Sequence, residues 1–92
     1  MDTPLVQISQ GDRDIGWGRL GTLTPKGESG TEITLYDVQI AEGVQFEVGG
    51  PFRVAVEDKR FEQCRPVNFR NLRPGSDYER VIFETDRKPR LG

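Results

Sequence analysis

Hydrophobic and polar residues alternate along most of this chain, and almost no stretch has the spacing of an amphipathic helix. Leu5 to Ile8, Ile15 to Thr24 and Thr31 to Tyr36 are predicted to be the first three strands. The apolar positions change parity after Tyr36, which predicts a bulge or a strand end near Asp37.

Glycines interrupt the second predicted strand at positions 16, 18 and 21, which predicts bulges or a close approach of the backbone. They also match the pattern G-x-G-x-x-G, which binds dinucleotides when a strand precedes it and a helix follows. The residues that follow, Thr22 to Pro25, do not start a helix. We therefore interpret the match as chance.

The clearest local signal is a hairpin in the middle of the chain. Val44, Phe46 and Val48 alternate with polar residues, Gly49 and Gly50 follow, and alternation resumes over 52–56. Two glycines between alternating runs predict a tight turn between two paired strands.

Two further strands are predicted at Pro66 to Leu72 and at Tyr78 to Glu84, and the last could lie at a sheet edge. Five to seven short strands predict an all-β fold, a small antiparallel barrel of the OB/cold-shock-like or SH3-like type. Residues 1–85 are predicted to form this single domain, and residues 86–92 a flexible basic C-terminal tail.

Charge is unevenly distributed along the chain. The net charge is −2, yet residues 59–74 carry five cations against Glu62 alone. Such a basic stripe suits either a polyanion or an acidic protein surface.

Residues for catalysis are scarce. The chain has no histidine, which removes the commonest general base and metal ligand. Cys64 is the only cysteine and is predicted to be a buried or inert thiol. The sequence therefore predicts a protein that is not an enzyme and binds no cofactor and no metal.

The same cysteine count bears on location. One cysteine allows no intrachain disulfide, the N-terminus does not resemble a signal peptide, and no apolar run approaches the roughly 20 residues that span a bilayer. A cytoplasmic protein with no membrane association is expected.

Two groups of residues are candidates for binding. In the first, cations alternate with phenylalanines, which could hold phosphates and stack on bases unless the aromatics face the core. In the second, Trp17 is either a core anchor, the more favoured interpretation, or an exposed contact residue. The predicted binding residues are Arg60, Arg65, Arg70, Arg73, Phe61, Tyr36 and Trp17.

Part of the chain resembles a degenerate cold-shock domain, the OB-type barrel that binds single strands. The resemblance rests on Gly21 and Leu23-Thr24-Pro25, on Ile33 and Leu35, and on Val67-Asn68-Phe69-Arg70, within about 55 residues. It implies a base-stacking role for Tyr36 alone, because Leu20 and Thr22 occupy the positions of the usual aromatics.

These observations predict a non-catalytic binding or adaptor module that docks on a protein or a nucleoprotein complex. A protein is the expected partner, and single-stranded RNA or DNA bound through the basic stripe is the second candidate. The alternative is a structural assembly component or a host-directed inhibitor of viral or phage type, acting through protein–protein contacts.

Overall fold

The computed structural model describes residues 5–47, 49–73 and 77–91, and these contain strands and turns but no helix. No helix able to cross a membrane is therefore found within these ranges. The strands are β1 (Leu5–Gln10), β2 (Arg13–Lys26), β3 (Gly30–Ile40), β4 (Phe52–Val56), β5 (Lys59–Arg73), β6 (Asp77–Thr85) and β7 (Arg90–Leu91).

Six of these strands close into a barrel. Neighbours follow the order β1, β2, β3, β6, β5 and β4, and β4 pairs again with β1. Every pairing is antiparallel, and β7 adds to β5 outside the closed ring. The all-β antiparallel barrel predicted from the alternation is thus confirmed, and its form is consistent with a small OB-like barrel. Closure leaves few unpaired strand edges, which are a hazard for so small a sheet.

The core consists of the inward-facing residues of these alternating strands. Val6 and Ile8 on β1, Val54 on β4 and Val81 and Phe83 on β6 are all at most 6% exposed. Each fully buried side chain of this kind contributes roughly 1.5–3 kcal/mol relative to its exposed state. The period of two in the sequence therefore defines the inside of the barrel.

Asp37 marks a bulge in β3, as the change of parity predicts. Its φ is 51°, and the register between β2 and β3 shifts between Trp17 and Arg19. The extra residue returns Val38 to the core, where it is 1% exposed.

The predicted hairpin around Gly49 and Gly50 is wrong. Residues 44–47 form no strand, and β4 pairs with β1 and β5 instead. Val44 and Phe46 are half-buried against the core, so hydrophobic burial produces their alternation without a ladder. Val48 lies outside the described residues.

Gln10 holds this loop against the end of β1. Its amide nitrogen donates to the carbonyl of Glu47 (2.7 Å), and its amide oxygen accepts from the Glu47 N–H (2.9 Å). One side chain thus gives a loop residue the two hydrogen bonds that a partner strand would have supplied.

Two predictions about the C-terminal part of the chain can be compared with the structure. β6 is not an edge strand, because it pairs with β3 on one side and β5 on the other. Within the segment predicted to be a flexible tail, Arg90 and Leu91 form β7 and pair with Arg60 and Lys59. The division of the chain at residue 85 stays a prediction.

Candidate binding face

The predicted binding residues fall into different parts of the barrel. Trp17 and Tyr36 are exposed on β2 and β3, at 42% and 43%. Arg60, Arg65 and Arg70 are exposed along β5. Arg73 ends β5, and its side chain lies outside the part of the chain whose side chains are described.

Phe61 must be removed from the predicted set. Its side chain is 2% exposed and belongs to the core, so it cannot stack on a ligand. The reason is register, because Phe61 pairs with Val54 and both side chains point into the barrel. Phe69, the other aromatic of the basic stripe, is 50% exposed, and its ring lies edge-on to Tyr78 at 5.6 Å between centroids.

The favoured core interpretation of Trp17 is also wrong. The register between β1 and β2 shifts between Ile8 and Ser9, so Ile15 is an extra residue in β2 and the alternation changes parity there. From Gly16 onward the even positions face inward, and the Trp17 side chain lies on the outer surface. The core space at the next inward position is filled from β3, because a Cβ on Gly18 would lie 3.0 Å from Val38 Cγ2.

Four strands bring an arginine-rich row across this outer surface. Arg19 pairs with Tyr36, Tyr36 with Arg80, and Arg80 with Arg70. Adjacent strands are about 4.8 Å apart, so the row spans about 14 Å. We call these four residues together with Trp17 the binding face. Arg19 and Arg80 were not singled out from the sequence, where they look like ordinary polar positions of alternating strands.

Gly21 sets the position of the Tyr36 ring. A Cβ at this glycine would lie 2.3 Å from Tyr36 Cε2 and 2.7 Å from Cδ2, so the ring lies directly over the β2 backbone. One face of the ring is thereby covered by protein. The exposed remainder borders a shallow pocket of about 130 Å³ that Arg70, Glu79 and Arg80 also line.

Neighbouring carboxylates offset more of the positive charge of the binding face than the sequence indicates. Arg19 forms an ion pair with Asp37, and Arg70 lies 3.6 Å from a Glu79 carboxylate oxygen. Both pairs are well exposed, so each contributes at most about 1 kcal/mol. Their main effect is to reduce the positive charge available to a polyanion.

The same compensation continues along β5. Arg65 lies 3.5 Å from Glu84 and 3.7 Å from Asp86, so it is a shared partner of two carboxylates. The basic stripe predicted over 59–74 is therefore not a continuous cationic band over the described side chains. Its carboxylate partners come from β6 and the segment after it, which the local sequence window does not contain.

Unlike Arg19 and Arg70, Arg80 has no carboxylate partner among the described residues. Its Nη2 donates a long hydrogen bond to Asn68 Oδ1 (3.4 Å), and its Nε is buried with no partner among the described residues. A buried guanidinium nitrogen without an acceptor costs roughly 1–3 kcal/mol. Arg80 therefore keeps its positive charge on the face, whereas Arg19 and Arg70 are paired with carboxylates.

The apolar pocket, the Cys64 thiol and the acidic side chains are the remaining places where chemistry could occur. An apolar pocket of about 40 Å³ is lined by core side chains and by the exposed ring of Phe69, so it is open on one side and holds few polar groups. Burial raises the pKa of the Cys64 thiol to about 12, and its Sγ donates to the Phe61 carbonyl (3.3 Å), so the prediction that the thiol is buried is confirmed. Within the described ranges, no group of three or more acidic or cysteine side chains could hold a metal ion.

Comparison with known proteins adds no family. Neither a scan against protein-family models nor searches of curated proteins and of solved structures produced a match.

Proposed function

We propose that this protein is a non-catalytic binding module that docks on a partner protein through the binding face. The observation that carries the proposal is the presentation of Trp17 and Tyr36 beside three arginines on one outer surface. Trp, Tyr and Arg are the residue types that dominate the energy of protein–protein interfaces.

The rigidity of the face supports the same proposal. Tyr36 is held over Gly21, and both aromatics lie on strands of a closed barrel rather than on a loop. Little conformational entropy is lost when such side chains bind, which leaves more of the contact energy as affinity.

Charge favours a protein over a nucleic acid as the partner. The face and its two carboxylates, Asp37 and Glu79, have a net charge of +1, from three arginines against two acids. Nucleic-acid affinity depends on uncompensated cations along the phosphate chain. The cold-shock resemblance adds one stacking residue, Tyr36, whereas Leu20 and Thr22 have no aromatic ring on which a base could stack. Binding of single-stranded RNA or DNA is therefore the weaker candidate function.

The test compares capture of proteins from an extract of the source cells by three immobilised forms of the chain. These are the wild type, the double variant Trp17→Ala/Tyr36→Ala, and the control Leu91→Ala, which removes a hydrophobic side chain that is 76% exposed elsewhere. A partner retained by the wild type and the control should be lost with the double variant. Loss of one hot-spot side chain costs about 2 kcal/mol or more, about a 30-fold rise in Kd.

Two parallel measurements separate the other possibilities. Fluorescence anisotropy with labelled single-stranded RNA and DNA at low and near-physiological salt should show no binding that depends on Tyr36. Light scattering should show a monomer, whereas a dimer that Tyr36→Ala abolishes would identify a second copy as the partner. Partners retained equally by all three forms would contradict the proposal.

A further inference from the structure

A pair of like charges lies where β7 joins the barrel. Arg90 of β7 is directly opposite Arg60 of β5, and Leu91 is opposite Lys59. Directly opposed residues in an antiparallel pair have Cβ atoms about 4.5–5.5 Å apart and side chains on the same face, and like charges at such positions are destabilising. Both arginines are exposed.

No carboxylate in the described part of the chain forms an ion pair with these two arginines. Neither Arg60 nor Arg90 has a carboxylate oxygen within 4 Å there, and the same holds for Lys59, Arg87 and Lys88. Of the carboxylates close by in sequence, Glu62 pairs with Arg53 at 2.9 Å and Asp86 with Arg65 at 3.7 Å. Glu57 and Asp58, in the exposed turn before β5, have no cationic partner within 4 Å in the described part of the chain. This arrangement is the opposite of the binding face, where Arg19 and Arg70 are both paired.

β7 also has little else to hold it. It contributes two residues to the ladder, both are exposed, and Leu91 buries only about a quarter of its surface. Two ladder positions supply few hydrogen bonds to hold a strand. Repulsion between the two guanidinium groups therefore opposes an attachment that is already weak.

A polar groove adjoins the pair on the side of the preceding turn. It has a volume of about 500 Å³ and is lined by the cations Arg87, Lys88 and Arg90 and by the carboxylates Glu62 and Asp86. The two carboxylates pair with Arg53 and Arg65, and Arg60 lies beside the groove, not in its lining. The groove is large enough for a phosphoryl group and its hydration shell. Guanidinium groups present parallel N–H donors that match phosphate oxygens in a bidentate manner.

We propose that Arg60 and Arg90 bind a phosphoryl group, and that its binding is coupled to the attachment of β7. A dianion between the two guanidinium groups turns their repulsion into two attractive contacts. The anion binds best when β7 is in place, so by linkage it stabilises the paired form of residues 90–91. This site lies on β5 and β7, outside the binding face, and does not depend on the proposed function.

The test uses inorganic phosphate as the probe, titrated against chloride at constant ionic strength. Hydrogen exchange, followed by NMR, of the Arg90 or Leu91 amide that points toward β5 reports the pairing of β7, because successive amides of a strand point to opposite sides. Phosphate should slow the exchange of this amide several-fold in a saturable manner, whereas chloride should not. Equal effects of chloride and phosphate, or none from either, would overturn the proposal.

Substitution of one arginine gives a second, opposite-signed readout. In Arg60→Gln the like-charge repulsion is gone, so the amide that points toward β5 should be better protected without phosphate than in the wild type. Phosphate should bind this variant about tenfold or more weakly. The matched control is Arg13→Gln, which removes another exposed arginine that has no ion pair among the described residues and should change neither quantity. A phosphate response that Arg60→Gln leaves unchanged would refute the site.

The phosphoryl group could belong to a nucleic-acid backbone or to a small phosphorylated molecule. A short oligothymidylate that competes at least tenfold more strongly than inorganic phosphate would support the first source. Equal or weaker competition would support the second, and either result requires the Arg60-dependent response. Trp17→Ala/Tyr36→Ala should respond to phosphate like the wild type, which keeps this test separate from that of the binding face.

Discussion

Replacement of Gly16 by alanine is expected to destabilise the barrel by opening the contact between β2 and β3. A Cβ at this position would lie 2.3 Å from the carbonyl oxygen of Gln39 and 3.3 Å from the Cα of Ile40. Both are backbone atoms, so no side-chain rotation relieves the clash. The strands must separate by about 1 Å to restore an ordinary contact of about 3.5 Å.

The magnitude follows from the hydrogen bonds that such a shift breaks. The Ala41 N–H donates to the Ile15 carbonyl at 2.9 Å, and a shift of about 1 Å takes this bond and a neighbouring ladder bond beyond hydrogen-bonding distance. Two bonds at about 1 kcal/mol each, and about 1 kcal/mol for disturbed packing, oppose a gain of about 0.5–1 kcal/mol from the less flexible unfolded chain. The net loss is about 2 kcal/mol.

Urea denaturation followed by tryptophan fluorescence and by circular dichroism would measure this loss. A decrease of about 2 kcal/mol corresponds to a fall in Tm of about 8–16 °C in a domain of this size. Gly21→Ala is the matched control, because it makes the same substitution in the same strand but meets the exposed Tyr36 ring first, and its nearest backbone contact, the Thr34 carbonyl oxygen, lies at 3.0 Å. A loss of less than about 0.5 kcal/mol in Gly16→Ala would refute the close-approach argument, since it would fall within the range of ordinary surface substitutions.

Further predictions concern the binding face and the core. Gly21→Ala should lower the unfolding free energy by less than about 1 kcal/mol, yet weaken partner capture like Tyr36→Ala, because the added Cβ displaces the ring; unchanged capture would contradict this. Phe61→Ala should cost about 3–5 kcal/mol in urea denaturation and Phe69→Ala far less, since they are 2% and 50% exposed; equal losses would argue against the assigned register. Cys64 should resist alkylation until the protein unfolds, because burial raises the pKa of its thiol to about 12. Above about pH 9 the unfolded chain loses the thiol proton, whereas the folded protein keeps it. The free energy of unfolding should therefore be unaffected by this thiol below pH 9 and fall by up to about 1.4 kcal/mol per pH unit between pH 9 and 12. Cys64→Ala should lack this pH dependence, and identical slopes for the two proteins would contradict the prediction.

The glycines of β2 show that a local pattern can predict a close approach of the backbone without showing which residue approaches. The glycines of the second predicted strand indicated close approach, and the structure supplies the atoms approached at Gly16 and Gly21. A strand position that cannot tolerate a Cβ is visible in one chain segment. Which carbonyl or ring occupies the space depends on β3, whose register is set by the bulge at Asp37.

The failed hairpin shows the limit of the same approach. Alternation at Val44 and Phe46 correctly indicated that these side chains are buried against the core. Burial of every second residue requires only an apolar surface on one side, whereas a strand also requires a backbone partner. Because β1 and β5 already occupy both edges of β4, no edge remained for residues 44–47.

The sequence by itself determined the all-β class, most strand positions, the bulge near Asp37 and the buried thiol at Cys64, because each depends on side-chain periodicity or composition within a short window. Only the tertiary structure decided which side chains share a surface. Arg19, Tyr36, Arg80 and Arg70 come together through three strand pairings, and Arg60 meets Arg90 across a fourth. Strand pairing joins residues distant in the chain, so the charge and contacts of a surface arise from the register and cannot be summed along the sequence.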